Sequence, residues 1–242
     1  MKLMNLHELK MKLDLADDRS RFVKKHSLSD KMNAIVTDDG SMHFFDDEGN
    51  DITKSVTSIG KCTFLNCTRL KSVIIPDSVE SIGADAFCNC INLISISIPC
   101  SVTSIGCAAF YDCSSLTSIA IPGSVKSIGE WAFNWCASLT SIVIPDSVKI
   151  IGKSAFSNCL SLSNVVIPDS VKSIGDDAFS NCKSLKSIII PGSVRNIGDW
   201  AFYECKSLKS IVFKGKTIEE VKSMDYYPWG ADKPIIKAEK KA

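Results

Sequence analysis

The stretch SVKSIGEWAFNWCASLTSIVIPD, residues 124–146, recurs with small changes seven times in a chain of 242 residues. Its copies begin at Ser55, Ser78, Ser101, Ser124, Ser147, Ser170 and Ser193, a period of 23 residues. A fixed period in the range of about 20 to 50 residues marks a solenoid or array. Each unit buries its apolar face only by stacking on its neighbours. The fold class read from it is a repeat solenoid with a β-strand, a second short strand and a short helical or irregular corner in every coil.

Each unit can be parsed physically. In Leu-x-Ser-Ile-x-Ile, as in residues 116–121, the Leu and both Ile are read as inward, the two Ile by strand alternation, and the β-branched content favours a strand. The Pro that follows has no N–H to donate and ends the ladder; the Asp or Gly after it suits a turn. Ser-Val-x-Ser-Ile-Gly is a second extended segment with Val and Ile inward. Its Gly, found at 60, 83, 106, 129, 152, 175 and 198, is expected where the backbone turns tightly or takes φ > 0. Ala-Phe-x-x-Cys makes the corner, with Phe inside. Stacking places like residues about 4.7–4.9 Å apart, so Phe, Leu, Ile and Cys form continuous ladders.

The repeat resembles the BspA-type leucine-rich repeats, a bacterial and protozoan class. Phe110, Cys113, Leu116, Ile119, Ile121 and Pro122 carry the match in one unit, and all seven units show it. Departures are Thr63 for Ala in the first unit, Ile150 for Ser in the fifth, and Phe213-Lys214 for Ile-Pro in the seventh. The resemblance covers about two-thirds of the chain. It implies a solenoid of the leucine-rich-repeat type and a surface or secreted protein associated with adhesion to host proteins.

The array spans residues 55–215, leaving 1–54 and 216–242 as caps. Asn5-Leu6-His7-Glu8 has capping-box form and opens a helix over about 6–25. Ala34-Ile35-Val36 and Met42-His43-Phe44-Phe45 flank Asp39-Gly40 and predict a hairpin. Thr217-Ile218-Glu219-Glu220 starts a short helix to about Met224. Tyr226-Tyr227-Pro228-Trp229-Gly230 is expected to fold over the last coil, and Pro234-Ile235-Ile236 to add a strand. The tail from Lys237 is expected to fray.

The net charge is +1, with 23% charged and 45% hydrophobic residues. No whole-molecule field draws the chain to nucleic acid or anionic lipid. No run approaches the roughly 18 apolar residues of a membrane span. Charges scattered through the first ten residues predict no secretory signal and a cytoplasmic location; the resemblance implies the cell surface or secretion instead. Seven of eleven Cys occupy one position: Cys67, Cys90, Cys113, Cys136, Cys159, Cys182 and Cys205. An odd count with no Cys-x-x-Cys pair argues against both a closed disulfide framework and zinc. The periodic Cys read as buried small hydrophobes. A redox role is the alternative, since stacked Cys can fall within disulfide reach of about 4.4–6.8 Å between Cα atoms.

The search for chemistry is mostly negative. His7, His26 and His43 precede the array, and a residue copied once per coil does not converge on one point as catalysis requires. The expectation is no enzyme, no cofactor and no metal; the acidic run Asp46 to Asp51 reads as a solvated turn. Three outward features remain. Val143, Val166, Ile189 and Val212 belong to a β-branched column on the strand face, either a protein-binding strip or simple β-propensity. Lys126, Lys149, Lys172 and Arg195 form a basic stripe, either a site for an acidic partner or sulfated glycan or a solvated row. Tyr111, Trp131 and Trp135 are non-core aromatics, either a binding patch for protein or carbohydrate or a shield for the corner. Trp200 and Tyr203 form a similar pair. The reading is a protein-binding scaffold, adhesin-like by resemblance; an intracellular interaction module and a carbohydrate-binding module are the alternatives. Nucleic acid is not expected, because acids flank the stripe and no aromatics interleave it.

Overall fold

The structure, a computed structural model, describes residues 32–36, 41–46, 51–232 and 234–239. It is a parallel β-solenoid of about eight turns with almost no helix. Seven two-residue segments, from Ser58–Ile59 through Ser127–Ile128 to Asn196–Ile197, form one parallel sheet whose strand order is the chain order. Like residues face each other one coil apart: Ile151 pairs with Ile128 on one side and Ile174 on the other.

The second sheet falls into three pieces. Ser72–Ile74 pairs with Ser95–Ser97, Ser141–Val143 with Asn164–Val166, and Ser187–Ile190 with Ser210–Lys214. Residues 117–121 of the third coil form no regular strand. Leu116, Ile119 and Ile121 still point inward there. Ser97 and Ala120 bring the weakest strand formers of the outward column to this point, which weakens the ladder around them.

One core runs the length of the array. Phe64, Phe87, Phe110, Phe133, Phe156, Phe179 and Phe202 are fully buried. Their rings stack with centroids 5.0–6.0 Å apart and planes within 8° of parallel. The corner that carries them is irregular rather than helical. Alternate N–H groups in it donate to the next coil, as Phe133 N does to Ala155 O at 2.8 Å and Asn158 N to Ser180 O at 2.8 Å. Alternation of this kind requires left-handed residues, which fall just before the Ala and just before the Cys: Asp85 (φ 54°) and Asn89 (φ 58°), Asp177 (φ 53°) and Asn181 (φ 59°). Asn and Asp tolerate that conformation best among residues with a side chain.

The repeat glycines correct the expectation of φ > 0. Among the described glycines a positive φ occurs at Gly215 and Gly230, neither of them the repeat Gly. The repeat Gly is required by proximity instead: a Cβ on Gly152 would lie 2.7 Å from the carbonyl carbon of Gly129 and 2.7 Å from the backbone nitrogen of Glu130. The backbone of one coil rests directly on that of the coil before it.

At the N-terminal end Met32–Val36 and Met42–Asp46 pair antiparallel. Ser41 bridges to Ile74 in parallel, and Met42 and Phe44 are buried in the common core. The helix expected over 6–25 and the turn at Asp39-Gly40 lie outside the described residues. At the other end Thr217 caps a helix over Ile218–Lys222 with a full capping box, and Ser223 closes it just before Met224. Trp229 is buried against Phe213, with ring centroids 5.5 Å apart. The tail is not frayed from Lys237: Ile235–Glu239 pairs parallel with Ser210–Lys214 and continues the sheet. Ile236 and Ala238 pack against the core from this strand, which gives it the apolar face a frayed tail would lack.

Gly152→Ala should lower stability by about 1–3 kcal/mol, the usual cost of overpacking. Gly123→Ala, where a Cβ meets nothing within 4 Å, should be nearly neutral. Urea unfolding of the two variants checks this; equal effects would refute the close stacking of the repeat Gly.

Candidate functional site

Interior positions are occupied by packing, which leaves the outward columns as candidate contact surfaces. Val143, Ile189 and Val166 are 62%, 52% and 47% exposed. Strand alternation turns them out while Ile142, Val165 and Ile188 point in. Val143 lies opposite Val166 in register, and Ile189 opposite Val212. Val212 itself is only half-exposed, because Lys237 of the terminal strand lies beside it. Ser141, Asn164 and Ser187 run exposed along the same strands. Ile94 and Ile150 are further exposed apolar residues that sequence reasoning did not single out as sites. Ile150 was visible as the departure from Ser at its position.

The basic residues also stand in register. Lys149 N donates to Lys126 O at 3.3 Å, Lys172 N to Lys149 O at 2.8 Å and Arg195 N to Lys172 O at 2.9 Å. All four side chains are exposed. The side-chain ion pairs among the described residues lie elsewhere, at His43–Asp51, Lys206–Glu204 and Lys214–Glu239.

The aromatic residues separate into two cases. Trp200 and Tyr203 make an edge-to-face contact with centroids 4.5 Å apart. The cap packs on them, so that a Cβ on Gly230 would approach Trp200 Cα to 3.2 Å and Tyr203 Cβ to 3.1 Å. Trp131 and Trp135 have no such neighbour. They are 38% and 42% exposed, and no ring contact joins them to each other or to the half-buried Tyr111 among the described residues. Both stand at the left-handed positions of their coil, Trp131 at φ 54° and Trp135 at φ 63°. That backbone disfavours a bulky side chain.

All eleven Cys are free, with Cys100 and Cys107 exposed. Six of the seven periodic thiols, from Cys90 to Cys205, are buried and have a polar task as well as an apolar one, whereas Cys67 in the first coil is half-buried and donates to Leu65 O. Cys136 Sγ donates to Phe110 O at 3.3 Å and Cys159 Sγ to Phe133 O at 3.2 Å, and the pattern continues to Cys205 with Phe179 O at 3.0 Å. Burial pushes the thiols of Cys113, Cys136 and Cys182 well above the usual range, and that of Cys67 up to about 11. Cys88 is likewise pushed up to about 11, first by burial and then by Asp85. Thiols held protonated in this way are poor nucleophiles. Among the described residues no three His, Cys, Asp or Glu converge on a point that could hold a metal ion. No helix among them is long and apolar enough to cross a membrane.

A parallel solenoid with one Leu, three Ile and one Phe turned inward per coil defines a leucine-rich-repeat protein. The chain matches the family model described as BspA type leucine rich repeat region, in 6 copies over residues 48–163 and 126–227, and belongs to that family. Among solved structures it is similar to a leucine-rich cell surface protein from Faecalibacterium prausnitzii, with 32% identity and a TM-score of 0.64, covering 77% of this chain and 54% of that one. The T. pallidum leucine-rich repeat protein shares 29% identity with a TM-score of 0.60, covering 76% of this chain and 91% of that one. A leucine-rich repeat protein from Bacteroides ovatus shares 26% identity with a TM-score of 0.59, covering 78% and 71%. No curated protein matches the chain. Solenoids of this family typically act as non-catalytic interaction scaffolds.

In the native protein Cys100 and Cys107 should react first with a thiol reagent and the buried ladder only after denaturation; early labelling of Cys136 or Cys159 would contradict the buried ladder. The unfolded chain ionises its thiols at lower pH than the folded one, so their contribution to stability is complete below about pH 9 and falls as pH rises toward 11 and beyond. Denaturant midpoints measured across that range check the sign.

Trp131→Asn and Trp135→Asn should each leave stability unchanged or raise it by up to about 1 kcal/mol, because Asn suits the left-handed backbone better. A loss above about 1 kcal/mol would show that the indoles shield the corner.

Proposed function

We propose that the protein is a non-catalytic scaffold that binds another protein through the outward strip of Val143, Val166 and Ile189, with Val212 at its covered end. The observation that carries this reading is the repeat of one outward position: three β-branched side chains, each about half exposed or more, stand on consecutive coils, Val143 and Val166 in one ladder and Ile189 at the start of the next. An ordered apolar strip rimmed by Ser and Asn suits a protein surface, since it offers area to bury and hydrogen bonds at its margin. An adhesin-like role toward an extracellular host protein is the fuller form of the proposal. The likeness to a cell surface protein of Faecalibacterium prausnitzii supports it.

Intact protein should be offered in parallel to extracellular-matrix and plasma proteins and to a cell lysate, with mass-spectrometric readout. The expected result is capture of an extracellular protein that is lost in the Val143→Lys/Val166→Lys/Ile189→Lys variant while unfolding midpoints stay unchanged. Capture that survives the triple substitution would refute the strip as the contact. Capture from the lysate alone would make the protein an intracellular module. Binding to glycans that Trp131→Ala abolishes would move the contact to the aromatic residues.

A further inference from the structure

We propose that Lys126, Lys149, Lys172 and Arg195 form a track that binds a single sulfated polysaccharide chain. This goes beyond the protein-binding reading and uses the other sheet.

The four residues occupy one position of four consecutive coils, joined coil to coil by the backbone hydrogen bonds described above. Parallel stacking spaces their Cα atoms by about 4.8 Å. Like charges directly opposite one another in a sheet repel. None of the four has a carboxylate within ion-pair distance among the described residues. The fold does not require cations here, since Thr57, Glu80 and Thr103 hold the same position in the first three coils. The row therefore carries an uncompensated repulsion that the scaffold does not need. A linear polyanion with charges repeated along its length removes that repulsion, and each cation gains a charge-assisted hydrogen bond.

The neighbours choose among polyanions. Ser127, Ser173 and Asn196 follow the cations on the same strands and add hydroxyl and amide donors suited to sulfate oxygens. Along the chain Asp146 and Asp169 come three residues before Lys149 and Lys172, and Glu130 and Asp176 come four residues after Lys126 and Lys172, so carboxylates lie within a few residues of the row at both ends of the strand position. A single-file track bordered by carboxylates admits one chain and repels a broad duplex. The strands Ser127–Ile128, Ile150–Ile151, Ser173–Ile174 and Asn196–Ile197 carry no aromatic residue on which single-stranded bases could stack.

The test is binding of the intact protein to heparin, to chemically desulfated heparin, and to single- and double-stranded DNA, at low and raised ionic strength. Variants are Lys126→Thr, Lys149→Thr, Lys172→Thr and Arg195→Thr, singly and combined. Each substitution copies a residue already accepted at this position. Off-track controls are Lys71→Thr, Lys186→Thr and Lys209→Thr, on the opposite sheet. Heparin binding should weaken with salt, fall about fivefold for each track substitution, vanish in the combined variant and survive the controls. Desulfated heparin should not bind. The combined variant should be at least as stable as the parent at low salt, since the repulsion is gone. Failure to bind heparin, equal loss from the controls, equal binding of either DNA, or a combined variant that is less stable would each overturn the track. Capture of a protein through the Val143 strip is measured separately, so either reading can fail alone.

Discussion

The distance between successive coils is set by glycine. At Gly106, Gly129, Gly152 and Gly175 the backbone of one coil sits so close to the preceding one that a methyl group would fall 2.6–2.8 Å from main-chain atoms. With that approach fixed, a 23-residue period brings every side chain onto its counterpart. The Phe rings then stack nearly parallel, and the Val, Ile and Leu columns close around them. A unit one residue longer would move the Phe off its column and bring a Cβ onto the glycine contact. The uniform length of all seven units follows from this constraint.

Close stacking creates a polar problem that two small side chains solve. Each coil turns carbonyl groups toward its neighbour at places where no N–H faces them. Ser78, Ser101, Ser170 and Ser193 donate their hydroxyls to the Val carbonyl of the coil before, at 2.6–2.9 Å, and Ser124 and Ser147 make the same bond. The Cys thiols do this for the Phe carbonyl deeper inside. Thiol suits the deeper site because its weak donor costs little to bury while its bulk fills the core. Among the described residues no buried side-chain nitrogen or oxygen lacks a partner either.

Periodicity makes the interior legible in the sequence. Leu116, Ile119, Ile121, Val125 and Phe133 all lie where alternation and spacing put them. The reason for the repeat Gly was not legible, because both a left-handed turn and a close backbone approach demand the same residue. The left-handed positions were hidden too, since Asn and Asp favour several kinds of turn. The half-cover of Val212 depended on the tail, where Lys237 and Glu239 look like solvent residues but occupy the outward positions of a strand. Register with a distant partner, rather than local composition, decided each of these cases.

A rigid array turns function into a question of where identical units stop being identical. The outward strand column runs Ile74, Ser97, Ala120 and is then β-branched without interruption through Val143, Val166, Ile189 and Val212. On the other sheet Thr57, Glu80 and Thr103 give way to Lys126, Lys149, Lys172 and Arg195. Both uninterrupted runs begin in the fourth coil, which sets Trp131 and Trp135 on left-handed backbone as the seventh coil sets Trp200. Interior columns vary less, with Thr63 and Phe213 in the two end coils as the larger departures, because the stacking distance limits what fits. The outward columns vary because no neighbour has to fit against them, whereas the inward columns are held by the coils on either side. The proposed contact strip and the proposed polyanion track both lie in the coils from Ser124 onward, and that reading leaves the first three coils to extend the scaffold.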